Sequence, residues 1–314
     1  MGVEVAEAVA ADDGLRHVAL LYRSADDYLT ALQRFVTDGL ARAEPVLVAV
    51  PEAKISRLRA DLPDAEYLSF ADMTELGQNP ARIIPSFHAF IDVRPRHRVR
   101  VVGEPVWPQR SADELRETAR HEALINVAFA GAAATILCPY DAADLSDSII
   151  ADATRTHPEL VRSGHELPSS SYLEPPGIPP ECDRPFSRPP DKAEFLAYDR
   201  DLRPVRALVT RGAQRAGLLA EHSTDLVIAV SEVAANTLRH TAAGGTMYLW
   251  HTAEEVICQL HDTGTIADPL AGRRVPSTDL PGGKGLWLVN QVCDLVELRT
   301  SPAGTTTRLH MRVS

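Results

Sequence analysis

The sequence has no long apolar run and no targeting segment. Across its 314 residues, no stretch approaches the roughly 20 consecutive apolar residues that a membrane-spanning helix needs. The first 15 residues contain neither the basic region nor the apolar core of a secretory signal peptide. We therefore expect a cytoplasmic protein that does not bind membranes.

Cysteine is also scarce. The four cysteines, Cys138, Cys182, Cys258 and Cys293, lie far apart and form no CxxC pair. Zinc sites and disulfide frameworks usually show close local spacing, so its absence argues against both. We expect reduced thiols that are mostly buried.

Positive charge is in deficit. The chain has 32 Lys and Arg against 43 Asp and Glu, a formal net charge of -11. Residues 1–192 hold 20 basic and 30 acidic residues, whereas residues 193–314 hold 12 and 13. An acidic surface without a basic patch repels nucleic-acid phosphates and anionic lipids. Direct nucleic-acid binding is therefore not expected, and protein or small-molecule partners are.

Short apolar runs alternate with amphipathic stretches from residue 15 to residue 172. The run Val46–Val50 is apolar on both sides, as a strand covered by helices on both faces must be. Domain-size priors favour two units in a chain of this length. The sequence predicts an α/β first domain with a parallel sheet over residues 15–172, preceded by a flexible tail over residues 1–14.

The boundary and the second domain follow from composition and element order. Seven prolines between residues 175 and 190 exclude a helix or central strand and favour a stiff, extended linker over residues 173–192. From residue 193 to residue 314, predicted helices come first, and strands joined by short turns follow. This order predicts an α+β two-layer sandwich.

The first of three polar motifs in the second domain is AVSEVAANTLRH, a predicted helix. Glu232 and Asn236 project from one face of it, one turn apart. An amide oxygen can ligate Mg²⁺, and a carboxylate can orient or deprotonate an attacking group. Taken alone, the segment is slightly more typical of the solvated stripe of an amphipathic helix.

The other two motifs are DTG (residues 262–264), after a predicted strand, and GGKGL (residues 282–286), before a predicted helix. A carboxylate after a strand can accept a hydrogen bond from an adenine amino group, and glycine lets the backbone approach the base. Glycines before a helix expose N–H groups towards a phosphate. No Walker A loop is present, and each motif alone is a common turn or loop signal.

Together the motifs resemble the GHKL ATPases, which have the Bergerat ATP-binding fold. EVAANTLRH is similar to the N box, DTG to the G1 box, GGKGLWLVNQ to the G2 box and GTTTRLHM to the closing strand. The combination is similar to that of the anti-sigma-factor serine kinases of the SpoIIAB and RsbW kind. The resemblance covers about 120 residues in the same order and spacing.

The resemblance implies ATP and Mg²⁺ as cofactors and a role for each motif residue. Glu232 would be the catalytic base, Asn236 the Mg²⁺ ligand and Asp262 the residue that recognises adenine. The other residues implied to bind the nucleotide are Gly264, Gly282, Gly283, Lys284, Gly285, Leu286 and Thr305, with Thr306 as an alternative to Thr305.

The implied activity is that of an ATP-dependent protein serine/threonine kinase. Such family members phosphorylate an anti-anti-sigma partner of the STAS type, otherwise hold a sigma factor inactive, and commonly form homodimers. Two alternatives stay open. Ile266 stands where the G1 box often has a second glycine, which fits a nucleotide-dependent partner-binding module without kinase activity. His121-Glu122 is similar to a histidine-kinase phosphoacceptor, but no sustained heptad pattern surrounds it.

Residues 15–172 resemble the MEDS sensory domain. The resemblance lies in HVALLYRSADDYL, EPVLVAVP, ADMTELGQNPARIIPSF, VVGEPVW, HEALINVAF and LCPYDAADL. That family is similar to RecA-like α/β folds, and it implies a small-molecule signal. The sequence does not support ATP binding by this half, because it has no Walker A loop here.

Several polar residues of this domain follow predicted strands, where open α/β sheets bind ligands. Others lie about one turn apart on a predicted helix that starts near Ser111. Each is singly explained as well by a structural role, such as a small core residue or a satisfied helix histidine. The candidate sensory-ligand residues are Glu104, Trp107, His121, Glu122, Asn126, Cys138 and Tyr140.

Overall fold

The computed structural model of the protein describes residues 14–94, 97–175, 178–276 and 283–313. Nearly all of the predicted tail, together with Gly282 of the glycine-rich motif, lies outside the described residues. Within those ranges, none of the helices combines the length and the apolar character needed to cross a membrane.

A seven-stranded sheet forms the centre of the first unit. Its strands are β1 (Arg16–Tyr22), β2 (Val46–Val50), β3 (Leu68–Asp72), β4 (Val99–Gly103), β5 (Ala134–Asp141), β6 (Glu159–Arg162) and β7 (His165–Pro168). The order is β3-β2-β4-β5-β1-β6-β7, and every neighbouring pair is parallel except β6 with β7. The predicted α/β fold with a largely parallel sheet is confirmed.

Helices cover both faces of this sheet. They are α1 (Ala25–Ala41), α2 (Glu52–Asp61), α3 (Met73–Leu76), α4 (Ile83–Asp92), α5 (Ala112–Ala128) and α6 (Asp147–Thr156). One buried core contains Leu32 of α1 and Leu58 of α2, and the other contains Phe87 of α4 and Leu124 of α5. Strands β2 and β4 are buried at every position because neither face is open to solvent.

Helix α5 contacts the second unit through ion pairs of Glu114 and Glu117. It begins at a capping box, in which the Glu114 N–H donates to Ser111 Oγ (3.2 Å) and the Ser111 N–H donates to Glu114 Oε2 (2.7 Å). Ten of its 17 residues are buried, including Glu117, His121 and Glu122. A one-sided amphipathic helix would bury fewer, so α5 is packed on more than one side.

Within the described residues, the second unit consists of a five-stranded antiparallel sheet and three helices. Its elements are β8 (Glu194–Tyr198), α7 (Arg203–Ala216), α8 (Ala220–His240), β9 (Gly245–His251), β10 (Glu255–Asp262), α9 (Lys284–Val292), β11 (Leu295–Ser301) and β12 (Gly304–Arg312). The strand order is β11-β12-β10-β9-β8. Val209, Val230, Val289, Met247 and Leu309 share one core between helices and sheet. The predicted α+β two-layer sandwich is confirmed.

The described part of the proline-rich segment packs against both units. A 3₁₀ turn at Pro180–Asp183 buries Cys182, whose carbonyl oxygen accepts a hydrogen bond from Arg120 of α5 (2.8 Å). The Phe186 ring lies 5.0 Å from the guanidinium carbon of Arg299 and 4.4 Å from that of Arg308. This segment therefore contacts both units.

Candidate functional site

Helix α8 presents the first motif of the candidate nucleotide site. Leu226, Val230 and Val233 are buried in the core, which leaves Glu232 and Asn236 half-buried on the flank of the helix. Asn236 Oδ1 accepts a hydrogen bond from Arg239 (2.7 Å). Both side chains lie at the edge of the core, and the Asn236 oxygen is engaged by Arg239.

The carboxylate of Asp262 is held in a fixed orientation at the end of β10. Thr237 of α8 donates its hydroxyl to Asp262 Oδ2 (2.6 Å), and the Gly264 N–H donates to Oδ1 (2.8 Å). Thr305 donates its hydroxyl to the Gly264 carbonyl oxygen (2.8 Å), which joins the DTG turn to β12. Each carboxylate oxygen keeps accepting capacity for a further donor, such as an exocyclic amino group.

The glycine-rich motif brings the start of α9 against the motif of α8. A Cβ added at Gly285 would lie 2.9 Å from Glu232 Oε2 and 3.4 Å from Asn236 Nδ2. Glycine leaves room for this close approach, since an added methyl group would make the Glu232 carboxylate shift. Gly283 precedes the helix with φ +73°, and the Lys284 side chain is exposed.

The three motifs therefore converge, although they come from α8, β10 and α9. Thr237, which bonds Asp262, is the neighbour of Asn236 in the chain, and Asn236 contacts the Gly285 region. Leu286 is half-buried beside the core, and Ile266 is held by a hydrogen bond from its N–H to Thr300 Oγ1 (3.2 Å). The arrangement brings a carboxylate, an amide oxygen and the N-terminal end of a helix close together.

The first unit anchors the loop that joins β10 to α9. Leu270 is 1% exposed and belongs to the core of the first unit, together with Leu124. Arg273 donates to Glu117 Oε2 (2.8 Å), and Arg299 of β11 donates to Glu117 Oε1 (2.6 Å). Glu117 is 1% exposed, and these two arginines of the second unit compensate its buried charge.

Helix α9 is also fixed by the first unit. Asn79 donates its side-chain amide to the Asn290 carbonyl oxygen (3.1 Å), and Arg82 donates to the same oxygen (2.8 Å). Asn290 in turn donates to the carbonyl oxygen of Gly272 in the β10–α9 loop (3.0 Å). These interdomain contacts involve residues that sequence reasoning did not single out, because neither side has a local motif.

The candidate sensory residues divide into separate groups. Glu104 is buried, accepts a hydrogen bond from Tyr28 (2.9 Å) and forms an ion pair with Lys54. Burial raises the pKa of Glu104, and Lys54 opposes that rise. The ring of Trp107 stacks 3.7 Å from the guanidinium carbon of Arg110. Glu104 and Trp107 thus have protein partners of their own.

Glu122, Asn126 and Cys138 lie together with two histidines that the sequence analysis missed. His17 Nε2 lies 3.1 Å from Glu122 Oε2, and Cys138 Sγ lies 3.5 Å from each of those two atoms. His157 Nε2 lies 3.3 Å from the same carboxylate oxygen. A histidine within a buried strand run such as HVALLY was the signal available for His17.

Tyr140 contacts this group through Glu122 and His157, and His121 lies next to Glu122 on α5. The Tyr140 ring meets His157 edge-on, with centroids 5.6 Å apart. His121 is 1% exposed, and burial lowers its pKa to about 3. A phosphoacceptor histidine has to meet an external phosphodonor, so this burial argues against the histidine-kinase alternative.

Comparisons with known families agree with the division into two units. Residues 16–158 match MEDS, described as the methanogen/methylotroph, DcmR sensory domain. Residues 195–311 match the histidine kinase-like ATPase domain. No curated protein sequence matches the chain.

The chain is also similar to a solved structure, the RsbU and RsbW domains of Rv1364c from Mycobacterium tuberculosis. The identity is 19%, and the match covers 40% of this chain and 34% of that chain, with a TM-score of 0.30. A likeness at this level carries no argument about fold or activity.

Proposed function

We propose that this chain, which joins a MEDS domain to a histidine kinase-like ATPase domain, is a signal-responsive anti-sigma regulator. Its activity is that of an ATP-dependent serine/threonine kinase acting on an anti-anti-sigma (STAS) partner, with a sigma factor as the controlled client. The observation that supports it is the meeting of Glu232, Asn236, Asp262 and Gly285 in one place.

The residues present fit Mg²⁺ and ATP. Asn236 offers a half-buried amide oxygen beside the start of α9, and oxygen ligands are those that Mg²⁺ prefers. When bound, Mg²⁺ and ATP supply an electrophilic γ-phosphoryl group with part of its charge neutralised. The N–H groups at the start of α9 would hold phosphate oxygens, and Asp262 would accept from the adenine amino group.

Glu232 has the position of a general base. Its carboxylate lies one helical turn from Asn236 and against Gly285, where the phosphates would end. From there it would take the proton of a serine hydroxyl as that oxygen attacks the phosphoryl group, a role worth about 10²–10⁴ in rate. Positioning of the serine would come from the partner protein.

We propose that the MEDS domain regulates the ATPase domain through the β10–α9 loop, with residues 173–192 as the connecting segment. This loop separates the DTG motif from the glycine-rich motif, and Leu270 and Arg273 fasten it to the first unit. A signal that shifts α5 would shift Glu117 and with it the start of the nucleotide-binding helix. Binding and turnover would change together.

Kinase assays with matched variants of the full-length protein test the proposal. Radiolabelled ATP and a STAS partner should give phosphoserine on the partner with the wild type. Glu232→Gln should lower the transfer about 10²–10⁴-fold but retain ATP binding, whereas Asp262→Asn should weaken ATP binding itself. Glu221→Gln, an exposed glutamate in the first turn of α8, is the control and should behave as wild type.

A partner-binding module without kinase activity is the second candidate. It is favoured by Ile266, which occupies the rim where the family often has glycine. In that case Glu232→Gln would leave sigma-factor regulation intact and no partner would be phosphorylated. Equal transfer by wild type and Glu232→Gln would contradict the role given to this glutamate.

A further inference from the structure

Four side chains with metal-ligating atoms meet inside the first unit. They are His17 at the start of β1, Glu122 on α5, Cys138 on β5 and His157 just after α6. Their ligand atoms all lie within 4.8 Å of one another. Each residue is no more than 1% exposed, so the group is closed to solvent.

Four of the six separations between these atoms are close to those of a tetrahedral site. Zinc bonds of about 2.0–2.2 Å to nitrogen or oxygen and about 2.3 Å to sulfur imply ligand separations of about 3.4 Å for nitrogen with oxygen and about 3.6 Å for pairs with sulfur. The two imidazole nitrogens lie 3.1 Å and 3.3 Å from Glu122 Oε2. Cys138 Sγ lies 3.5 Å from Glu122 Oε2 and from His17 Nε2.

The tautomer of His17 is fixed by its outer partner. Asn126 donates its side-chain amide to the Thr156 carbonyl oxygen (2.7 Å), which turns Asn126 Oδ1 towards His17. His17 Nδ1 lies 3.1 Å from that oxygen and must therefore be the N–H donor. In the neutral ring, the lone pair is on Nε2 and points at Glu122.

His157 has the same arrangement. Its Nδ1 donates to the Ala153 carbonyl oxygen (2.8 Å), so its Nε2 is the free acceptor. A ligating histidine typically donates its other N–H to a protein oxygen in this way. Both histidines are thus oriented as second-layer hydrogen bonds orient metal ligands.

Acceptors outnumber donors inside the cluster, where the Cys138 thiol donates to Glu122 Oε2 (3.5 Å). Two imidazole lone pairs and a carboxylate face one another, and both His157 Nε2 and Glu122 Oε1 are buried without a hydrogen-bond partner. A single proton would satisfy one imidazole contact and leave the other as two facing acceptors. A divalent cation would satisfy both.

We propose that His17, Glu122, Cys138 and His157 form a binding site for a divalent transition metal of the Zn²⁺ class. Imidazole, thiolate and carboxylate together suit zinc better than the hard cations Mg²⁺ and Ca²⁺. Four protein ligands in a closed interior leave no position for substrate, as in structural zinc sites. The inference does not depend on the proposed kinase activity.

The site would join parts of the fold that are distant in sequence. It links β1, α5, β5 and the segment that follows α6, and Glu122 lies five residues after Glu117 on α5. Metal binding would fix the position of α5, which bears the ion pairs to Arg273 and Arg299. Metal binding in the MEDS domain would therefore affect the position of the nucleotide-binding loop.

Metal content and cobalt spectroscopy of the full-length protein test the site. Protein produced with zinc should retain one equivalent after gel filtration, as measured by elemental analysis. Unfolding in chelator and refolding with Co²⁺ should give tetrahedral d–d bands and a sulfur-to-cobalt charge-transfer band. Cys138→Ser should lose the charge-transfer band, and His157→Gln should lower Co²⁺ affinity by at least tenfold.

Matched controls separate this site from adventitious binding. Cys258→Ser replaces another buried cysteine, in the second unit, and His121→Gln replaces another buried histidine of the first unit; both should keep the wild-type spectrum. A charge-transfer band of wild-type intensity in Cys138→Ser would overturn the assignment. So would a wild type that takes up neither Zn²⁺ nor Co²⁺ on refolding, a result that does not rely on any variant folding.

Discussion

Replacing Glu117 by glutamine should uncouple the two domains. Glu117 is 1% exposed and accepts hydrogen bonds from Arg299 (2.6 Å) and Arg273 (2.8 Å) across the interdomain boundary. Glutamine keeps the size of the side chain but removes the charge. Arg273, 8% exposed in its side chain, would then be buried without its counter-ion, whereas Arg299 would keep its ion pair with Glu297.

The size of the expected destabilisation follows from this burial. Removing one partner of a buried ion pair costs about 3–5 kcal/mol, because the remaining charge loses its compensation without regaining water. In full-length protein, urea denaturation should therefore show a free energy of unfolding lower by about that amount. Glu194→Gln is the control. The side chains of Glu194 and its partner Arg215 are 39% and 49% exposed, so their ion pair should contribute only about 0.2–1 kcal/mol to the free energy of unfolding.

The stabilisation by the Glu117 ion pairs should depend on pH in a defined direction. Burial pushes the pKa of Glu117 upwards, but Arg299, Arg120 and Arg273 outweigh it and lower the pKa. The stabilisation is therefore complete above the unfolded-state pKa of about 4.3 and is lost as the pH falls through the lower folded-state pKa. A wild type and a Glu117→Gln variant that differ by less than about 0.5 kcal/mol at pH 7 would refute the interdomain ion pair.

Three further variants test the nucleotide site and the metal site. Glu232→Gln should lower the rate of phosphotransfer about 10²–10⁴-fold at unchanged ATP affinity, measured by phosphoserine formation and by equilibrium binding. Gly285→Ala should weaken ATP binding, because its Cβ would meet Glu232 Oε2 at 2.9 Å, whereas Gly131→Ala meets nothing within 4 Å and should bind as wild type. Chelator should lower the thermal midpoint of the wild type but not that of Cys138→Ser, since a metal that binds only the folded state stabilises by mass action.

The second domain could be predicted almost completely from the sequence. The apolar periodicity of its helices and the short turns between its strands identify the helix that carries Glu232 and the strand that ends at Asp262. The motif residues are also local: Glu232 and Asn236 share one helix, and Asp262 and Gly264 share one turn. Local patterns suffice where function is built from local motifs.

The first domain was harder to predict from the sequence. The β6–β7 hairpin was not predicted, because its two strands have only four residues each and little apolar alternation. His17 and His157 stand 140 positions apart, and only the pairing of β1 with β5 and β6 brings them together. The absence of a CxxC pair argued against a zinc site at the sequence level, but it concerns local spacing alone.

Helix α5 is where these observations combine. Along its length, Glu114 pairs with Arg312, Glu117 with Arg273 and Arg299, and Glu122 with the two histidines of the proposed metal site. Three buried carboxylates on one helix are costly unless each is compensated, and here the second domain compensates two of them. A helix held in this way can move only if several ion pairs break together, which favours two discrete positions over gradual displacement.

If α5 does transmit the signal, Glu122→Gln should alter ATP turnover only while Glu117 is intact. Equal effects of Glu122→Gln in the wild type and in Glu117→Gln would show that the two sites are not coupled through this helix.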